Sequence, residues 1–175
     1  IMMKVHIHTI VKNEEFILPY FLRHYETFAD DIFIMYEKCT DKTVEIARAN
    51  PKVHLIDLQY DEEYDEIKHL NWFIESYKEH SRGIADWVMC VDADEFIYSQ
   101  NMRYILENRR SIGMRALCPM GYNMVSDKVP STKGQIYEEC YMGKHSNNFN
   151  RQVVFDPMLD VVFALGRERV KFPEG

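Results

Sequence analysis

The chain has 175 residues, 46% hydrophobic and 28% charged, the composition of one globular domain with a sizeable core. A net charge of −7 and a pI near 5.5 exclude a general binder of nucleic acid or of anionic membrane surfaces. No apolar run has the length of a transmembrane helix or a signal-peptide core, and the four scattered cysteines form no Cys-x-x-Cys pair, so the expectation is free thiols and a cytoplasmic location.

Lys4 to Val11 alternates and is β-branched, which predicts a first strand ending at Lys12-Asn13-Glu14-Glu15. Phe16 to Phe28 has helical spacing, with Pro19 tolerated near the helix start. Asp31 to Tyr36 predicts a second strand and Glu37-Lys38-Cys39-Thr40 a loop. Thr40 or Asp41 then caps a short helix, Lys42 to Ala49, that stops at Asn50-Pro51. Val53 to Leu58 is a third strand. The acidic run Asp61 to Asp65 reads as a solvated loop. Ile67, Leu70, Ile74 and Tyr77 mark a helix to about His80, which Arg82-Gly83 breaks.

The fourth strand organises the chemistry. Trp87, Val88, Met89, Cys90 and Val91 are continuously apolar, as in a central strand covered on both faces. Asp92, Asp94 and Glu95 follow, three carboxylates within four positions. Like charges at that range repel, and a hard divalent cation such as Mg²⁺ or Mn²⁺ removes the penalty while bridging to phosphate oxygens. Open α/β sheets bind ligands at the carboxyl ends of their strands. A bare Asp-x-Asp arises by chance, so the weight lies in the apolar strand before it and the helical segment after it. Asn101 to Asn108 predicts a helix and Met114 to Cys118 a strand. The alternation predicts an α/β fold, a mostly parallel sheet with helices on both faces. Residues 119–150 have little periodicity and read as a functional loop or a mobile one. Gln152 to Phe155 and Val161 to Leu165 are two further strand candidates.

Val11-Lys12-Asn13-Glu14-Glu15, Thr40-Asp41-Lys42-Thr43, Asp86-Trp87-Val88 and Asp92-Ala93-Asp94-Glu95-Phe96 together resemble family 2-type glycosyltransferases of the GT-A fold. The likeness is to the bacterial branch with VKNE, STDGT and DADEF motifs. It covers residues 4–118 well and the remainder loosely. It implies a GT-A-like (Rossmann-like) single domain over 1–175, with a nucleotide-sugar half at 4–118 and an acceptor-side half at 119–175, incomplete at its end. The implied activity is sugar transfer, with inversion, from a nucleoside-diphosphate sugar, a UDP-sugar favoured, to a glycan or other hydroxyl acceptor, using Mn²⁺ or Mg²⁺. Carried over residue by residue, Asn13 and Glu14 border the nucleotide and Asn71 lies near base and ribose. Asp92 leans toward ribose and metal, and Asp94 ligates the metal on the diphosphate. Asp94 and Glu95 are thus the expected catalytic carboxylates, although Glu95 also suits a backbone cap.

Two departures matter. Where the family has Asp-Asn-Gly after the second strand, this chain has Tyr36-Glu37-Lys38, so Glu37 is the candidate to read the base and Tyr36 to stack on it. Where relatives carry Gly-x-His, Gly166-Arg167-Glu168-Arg169 stands; an arginine clamps phosphate but cannot ligate a metal. His145 is an alternative ligand. The base is open among Asp127, Glu138, Glu139, Asp156 and Asp160. Two rival readings stay open: a nucleotidyltransferase, against which the glycine-free loop after the first strand counts, and a non-catalytic nucleotide- or glycan-binding domain.

Overall fold

Side chains alternate along Val5–Val11, so Val5, Ile7 and Val11 face one layer of helices while His6, His8 and Ile10 face another. This strand, β1, lies inside a six-stranded sheet. The computed structural model describes residues 2–131, 133–164 and 170–171. After β1 come α1 (Leu18–Tyr25), β2 (Asp31–Tyr36), α2 (Thr43–Arg48), β3 (Val53–Asp57), α3 (Glu66–His80), β4 (Trp87–Cys90) and α4 (Met102–Ser111). Then follow β5 (Ala116–Leu117), β6 (Tyr122–Val125), α5 (Ile136–Glu139), β7 (Met142–His145), β8 (Val154–Phe155), β9 (Val162–Phe163) and β10 (Val170–Lys171).

The sheet order is β3-β2-β1-β4-β8-β5. The β1–β2, β2–β3 and β1–β4 pairings are parallel; β8 runs antiparallel between β4 and β5. The expected mostly parallel α/β sheet with helices on both faces is therefore present. Trp87 and Met89 enter a core layer with Leu18, Phe21 and Tyr25 of α1, Ala47 of α2 and Leu106 of α4. Val88 and Cys90 enter the other layer, with Leu70, Phe73 and Tyr77 of α3. All four residues of β4 are fully buried, and burying each large apolar side chain is worth about 1.5–3 kcal/mol.

Strand order reverses between β1 and β4, because α1 and α2 carry the chain one way from β1 and α3 carries it back past β1. The carboxyl ends of β1, β2, β3 and β4 share one rim. At the opposite rim Arg103 Nη2 lies 2.7 Å from Asp30 Oδ2 and Arg110 Nη2 lies 2.9 Å from Asp86 Oδ1. Those two aspartates also accept the N–H groups of Val5 and Lys4, which closes that end.

Several elements differ from expectation, and the strand expected at Gln152–Phe155 contracts to Val154–Phe155. Helix α1 is shorter than Phe16–Phe28, since Phe16 stays exposed and the chain after Tyr25 turns back onto it through Ala29 N–H to Tyr25 O at 2.8 Å. The strand expected at Met114–Cys118 contracts to Ala116–Leu117, paired with β8. Residues 119–150 are not structureless: β6 and β7 form an antiparallel ribbon with α5 between them. This segment docks on α1, where the Tyr20 hydroxyl donates to Pro130 O at 2.8 Å and Gln135 Nε2 donates to Arg23 O at 3.1 Å. Val162–Phe163 pairs with β10, and Leu165 lies outside the described residues. No helix among the described residues is long and apolar enough to cross a membrane.

Candidate active site at the carboxyl rim

The loop after β1 is locked to the loop before α2. Asn13 has φ 57°, a left-handed conformation that asparagine tolerates. Its Oδ1 accepts the Thr40 N–H at 2.7 Å. The Glu14 N–H donates to Thr43 Oγ1 at 2.6 Å and the Glu15 N–H to Asp41 Oδ2 at 3.0 Å. In return Glu15 Oε2 accepts the Lys42 N–H at 3.0 Å. The two motifs that are far apart in sequence are thus one interlocked unit, and it fixes where the Glu14 side chain begins.

Glu14 is half-buried. Its carboxyl is held above the usual range, first by burial and then by the negative charges of Asp94, Asp41 and Asp92. Parallel pairing of β1 with β4 brings the loop that carries Glu14 and the acidic turn after β4 to the same rim, at the switch point.

The acidic turn is closed by its own last residue. The Asp92 N–H donates to Glu95 Oε2 at 3.1 Å, and the Glu95 N–H donates to Asp92 O at 3.0 Å. Ala93 is buried, whereas Asp94 is exposed. Helix α1 holds the segment beyond. The buried Tyr25 hydroxyl donates to Glu95 O at 2.9 Å and accepts the Ile97 N–H at 3.1 Å. Burial pushes the Tyr25 phenol far up, so it stays a neutral donor. Glu95 is accordingly a structural member of the turn as well as a candidate for chemistry.

Arg151 is the residue that sequence reasoning missed. It lies just before β8, and because β8 is antiparallel it arrives at the carboxyl end of β4, where the Cys90 N–H donates to Val153 O at 3.0 Å. Arg151 Nη1 is 2.5 Å from Glu95 Oε1 and 3.8 Å from Asp92 Oδ2. The local signal was weak, a lone arginine between Asn150 and Gln152.

Glu37 is 2% exposed at its side chain, with Lys12 Nζ at 3.0 Å and His69 Nε2 at 2.6 Å. The hydrogen bond to Glu37 is what raises the Lys12 ammonium. Tyr36 is half-buried, its phenol raised by burial and by hydrogen bonding to Asp57. Asn71 is exposed on α3, two residues past His69. Around His69 the rim is aromatic: the His69 and Tyr64 rings are 4.6 Å apart, and the Tyr60 and Trp72 rings 5.1 Å. Tyr60, Tyr64 and Lys68 line an open cleft there.

The topology separates the candidate bases. Asp156 and Asp160 lie toward the opposite rim, paired with Arg115 at 3.0 Å and Arg82 at 2.8 Å. Glu139 accepts the Ser131 N–H at 2.9 Å and Glu138 the Gln135 N–H at 3.1 Å. Asp127 is exposed in the segment between β6 and α5. His145 is exposed on β7 against the Tyr122 ring. Gly166-Arg167-Glu168-Arg169 lies outside the described residues.

Among the described residues, no group of three His, Cys, Asp or Glu side chains is placed to hold a metal ion by itself. The donors that are present nevertheless fit a hard cation. Two carboxylates, Asp92 and Asp94, stand at an open rim, the first half-buried and the second exposed. Mg²⁺-type sites commonly use one or two carboxylates and complete the shell with phosphate and water oxygens.

No protein-family model matches the chain, and no curated protein matches it. Among solved structures it is similar to glucosyl-3-phosphoglycerate synthase from Mycobacterium tuberculosis, solved with Mn²⁺, UDP and phosphoglyceric acid, at TM-score 0.40 and 17% identity over 54% of this chain. The chain spans 34% of that structure's length. It is also similar to a 4-diphosphocytidyl-2C-methyl-D-erythritol synthase at TM-score 0.50 and 12% identity, over 91% of this chain and 78% of that one. The second likeness establishes the α/β fold, and the fold alone.

Proposed function

We propose that this chain is a metal-dependent glycosyltransferase that moves a sugar from a nucleoside-diphosphate sugar to an acceptor hydroxyl with inversion. The observation that supports the reading is the parallel pairing of β1 with β4 at the strand-order switch point, which brings the loop carrying Glu14 and the turn carrying Asp92 and Asp94 to one rim. The motif resemblance favours a UDP-sugar as donor. Asp94 and Asp92 would hold Mn²⁺ or Mg²⁺, which when bound would neutralise charge on the leaving diphosphate. The chain's own residues do the positioning. The interlocked Asn13–Glu15 and Thr40–Thr43 loops border the nucleotide. Tyr36, Glu37 and Asn71 stand on the base and ribose side, with Glu37 held inward by Lys12 and His69. Glu95 and Tyr25 keep the acidic turn in register, and residues 119–150 lie on the acceptor side.

One other reading has a specific observation behind it. A solved structure that shares the fold over most of both chains is, by its name, a synthase of a diphosphocytidyl compound, which favours nucleotidyl transfer. The loop after β1 counts against it, being glycine-free and tied to Thr40–Thr43.

Thermal unfolding with nucleoside diphosphates and their sugars, with and without Mn²⁺, tests the proposal. A ligand at about 100 times its Kd adds roughly 2.7 kcal/mol, or about 5–11 °C for a chain of this size. Asp94→Ala should abolish the Mn²⁺-dependent part of that shift and leave the unliganded Tm within about 2 °C of wild type, since it removes only an exposed charge. An undiminished Mn²⁺-dependent shift in Asp94→Ala refutes the metal assignment. Release of nucleoside diphosphate from a sugar nucleotide supports glycosyl transfer; release of pyrophosphate from a nucleoside triphosphate supports the other reading.

A further inference from the structure

Arg151 brings a permanent positive charge into the acidic turn. Its guanidinium is 2.5 Å from Glu95 Oε1 and 3.8 Å from Asp92 Oδ2, and the side chain is 16% exposed. The Phe149 ring backs it, with the guanidinium carbon 5.4 Å from the ring centroid. Among the described residues its Nε is buried with no hydrogen-bond partner. A buried donor without a partner carries a desolvation cost, so this guanidinium has hydrogen-bonding capacity that Glu95 and Asp92 do not use. Arginine cannot lose its proton in a protein, so the charge is present at every pH.

That charge stands beside Asp92, one of the two carboxylates to which the cation is assigned. We propose that Arg151 is a resident counter-cation: it competes with a divalent cation for the acidic turn when no nucleotide is present, and it turns to the donor's diphosphate when metal and nucleotide arrive together. This rests on the metal–diphosphate reading of the rim. The physical reason is a change of sign. Without nucleotide, a divalent cation near Asp92 meets a guanidinium charge a few ångströms away and is repelled. With nucleotide, two or more phosphate charges enter the same space, and the guanidinium fork is well suited to pair with their oxygens. One residue then opposes the bare metal and favours the metal–nucleotide pair, so Mn²⁺ and nucleotide bind with positive linkage.

The proposal predicts opposite effects from one substitution. Arg151→Gln should bind Mn²⁺ alone about tenfold more tightly than wild type and UDP in saturating Mn²⁺ about tenfold more weakly. Arg151→Lys keeps the charge but loses the fork. Its affinity for Mn²⁺ alone should stay within about twofold of wild type while its affinity for UDP falls to an intermediate value. The measurements are direct titrations of the intact chain, following free Mn²⁺ and then UDP, with thermal unfolding run on each variant. A merely structural role would weaken both affinities together in Arg151→Gln, and that outcome overturns the proposal, as do unchanged affinities. If Arg151→Gln does not fold, Arg151→Lys decides, and tightened Mn²⁺ binding or unchanged UDP affinity there overturns it. Wild-type protein that binds UDP no better with Mn²⁺ than without overturns the metal–diphosphate reading and this proposal with it; Mn²⁺-assisted binding in wild type with the wrong signs in the variants overturns this proposal alone.

Discussion

The Tyr25 hydroxyl bridges α1 to Glu95 O and Ile97 N–H at the end of the acidic turn, beside the His24 Nε2 contact to Ile97 O at 3.0 Å, and Tyr25→Phe removes that bridge while keeping the ring. Two hydrogen bonds disappear, the one donated to Glu95 O at 2.9 Å and the one accepted from Ile97 N–H at 3.1 Å. Each leaves a backbone group short of a partner at a partly buried site, which costs about 1–3 kcal/mol when burial is complete. Partial burial puts the total near the lower end, about 2 kcal/mol. For a chain of this length that corresponds to a fall in Tm of about 4–8 °C. Packing around Tyr25 is retained: its ring still meets Phe21 at 4.5 Å and His24 at 4.6 Å. The loss should therefore be accompanied by a second effect, weaker binding of UDP with Mn²⁺, because the turn carrying Asp92 and Asp94 loses its tie at Glu95 O and keeps only the His24 contact to Ile97 O from α1 among the described hydrogen bonds. Urea unfolding at pH 7.5 measures the first and a UDP titration in saturating Mn²⁺ the second. A stability change below about 0.5 kcal/mol, the scale of a surface substitution, together with unchanged UDP affinity would refute the reasoning.

Two further perturbations read other parts of the molecule. His6, His8 and His24 are all held below the ordinary histidine range, chiefly by burial. The unfolded chain therefore binds more protons below about pH 6.5, and stability should fall as the pH drops from 6.5 toward 5.5 at up to roughly 1.4 kcal/mol per histidine per pH unit; urea midpoints that stay level across that window contradict the assignment. Gly121→Ala should shift the segment leading to Arg151, because a Cβ at Gly121 would overlap the backbone and Cβ of Phe149. Overpacking of this kind costs about 1–3 kcal/mol, and UDP affinity in Mn²⁺ should drop with it; equal Tm and equal affinity in the variant would show that the overlap is relieved locally.

The first four strands and the helices between them were legible because each announces itself locally, by alternation, by helical spacing or by a breaker such as Asn50-Pro51. Strand β4 and its acidic end were legible for the same reason. What was hidden depends on pairing between distant segments. Gln152 to Phe155 read as a strand, but nothing local says that it enters between β4 and β5 in the reverse direction, and the position of Arg151 follows only from that direction. Glu37 looked like an open loop carboxylate because its partners, Lys12 and His69, come from two other elements. His6 and His8 alternate with apolar residues as a solvent-facing row would. Helix α3 covers them instead, with Ser76 Oγ 2.8 Å from His8 Nδ1 and Ser81 Oγ 2.9 Å from His6 Nδ1. Phe33 from β2 stacks on His8, its ring 4.9 Å away, and on His80 at 5.0 Å. A polar row that is covered by small hydroxyl side chains looks no different in sequence from one left in water.

The placement of β8 also sets a timetable for synthesis. Strand β4 has β1 on one side as soon as it is made, but its other edge waits for a segment more than sixty residues further along the chain. At a translation rate of about 5–20 residues per second, that edge stays open for roughly 3–13 s. Its side chains, Trp87, Val88, Met89 and Cys90, are uncharged and apolar, and Trp87 and Val88 favour strands, the profile of an edge that recruits strands from other molecules. Once Val154 and Phe155 emerge they cap the edge and deliver Arg151 to the acidic turn in the same movement. A nascent chain halted before that point would carry both an open strand edge and an acidic turn that lacks Arg151.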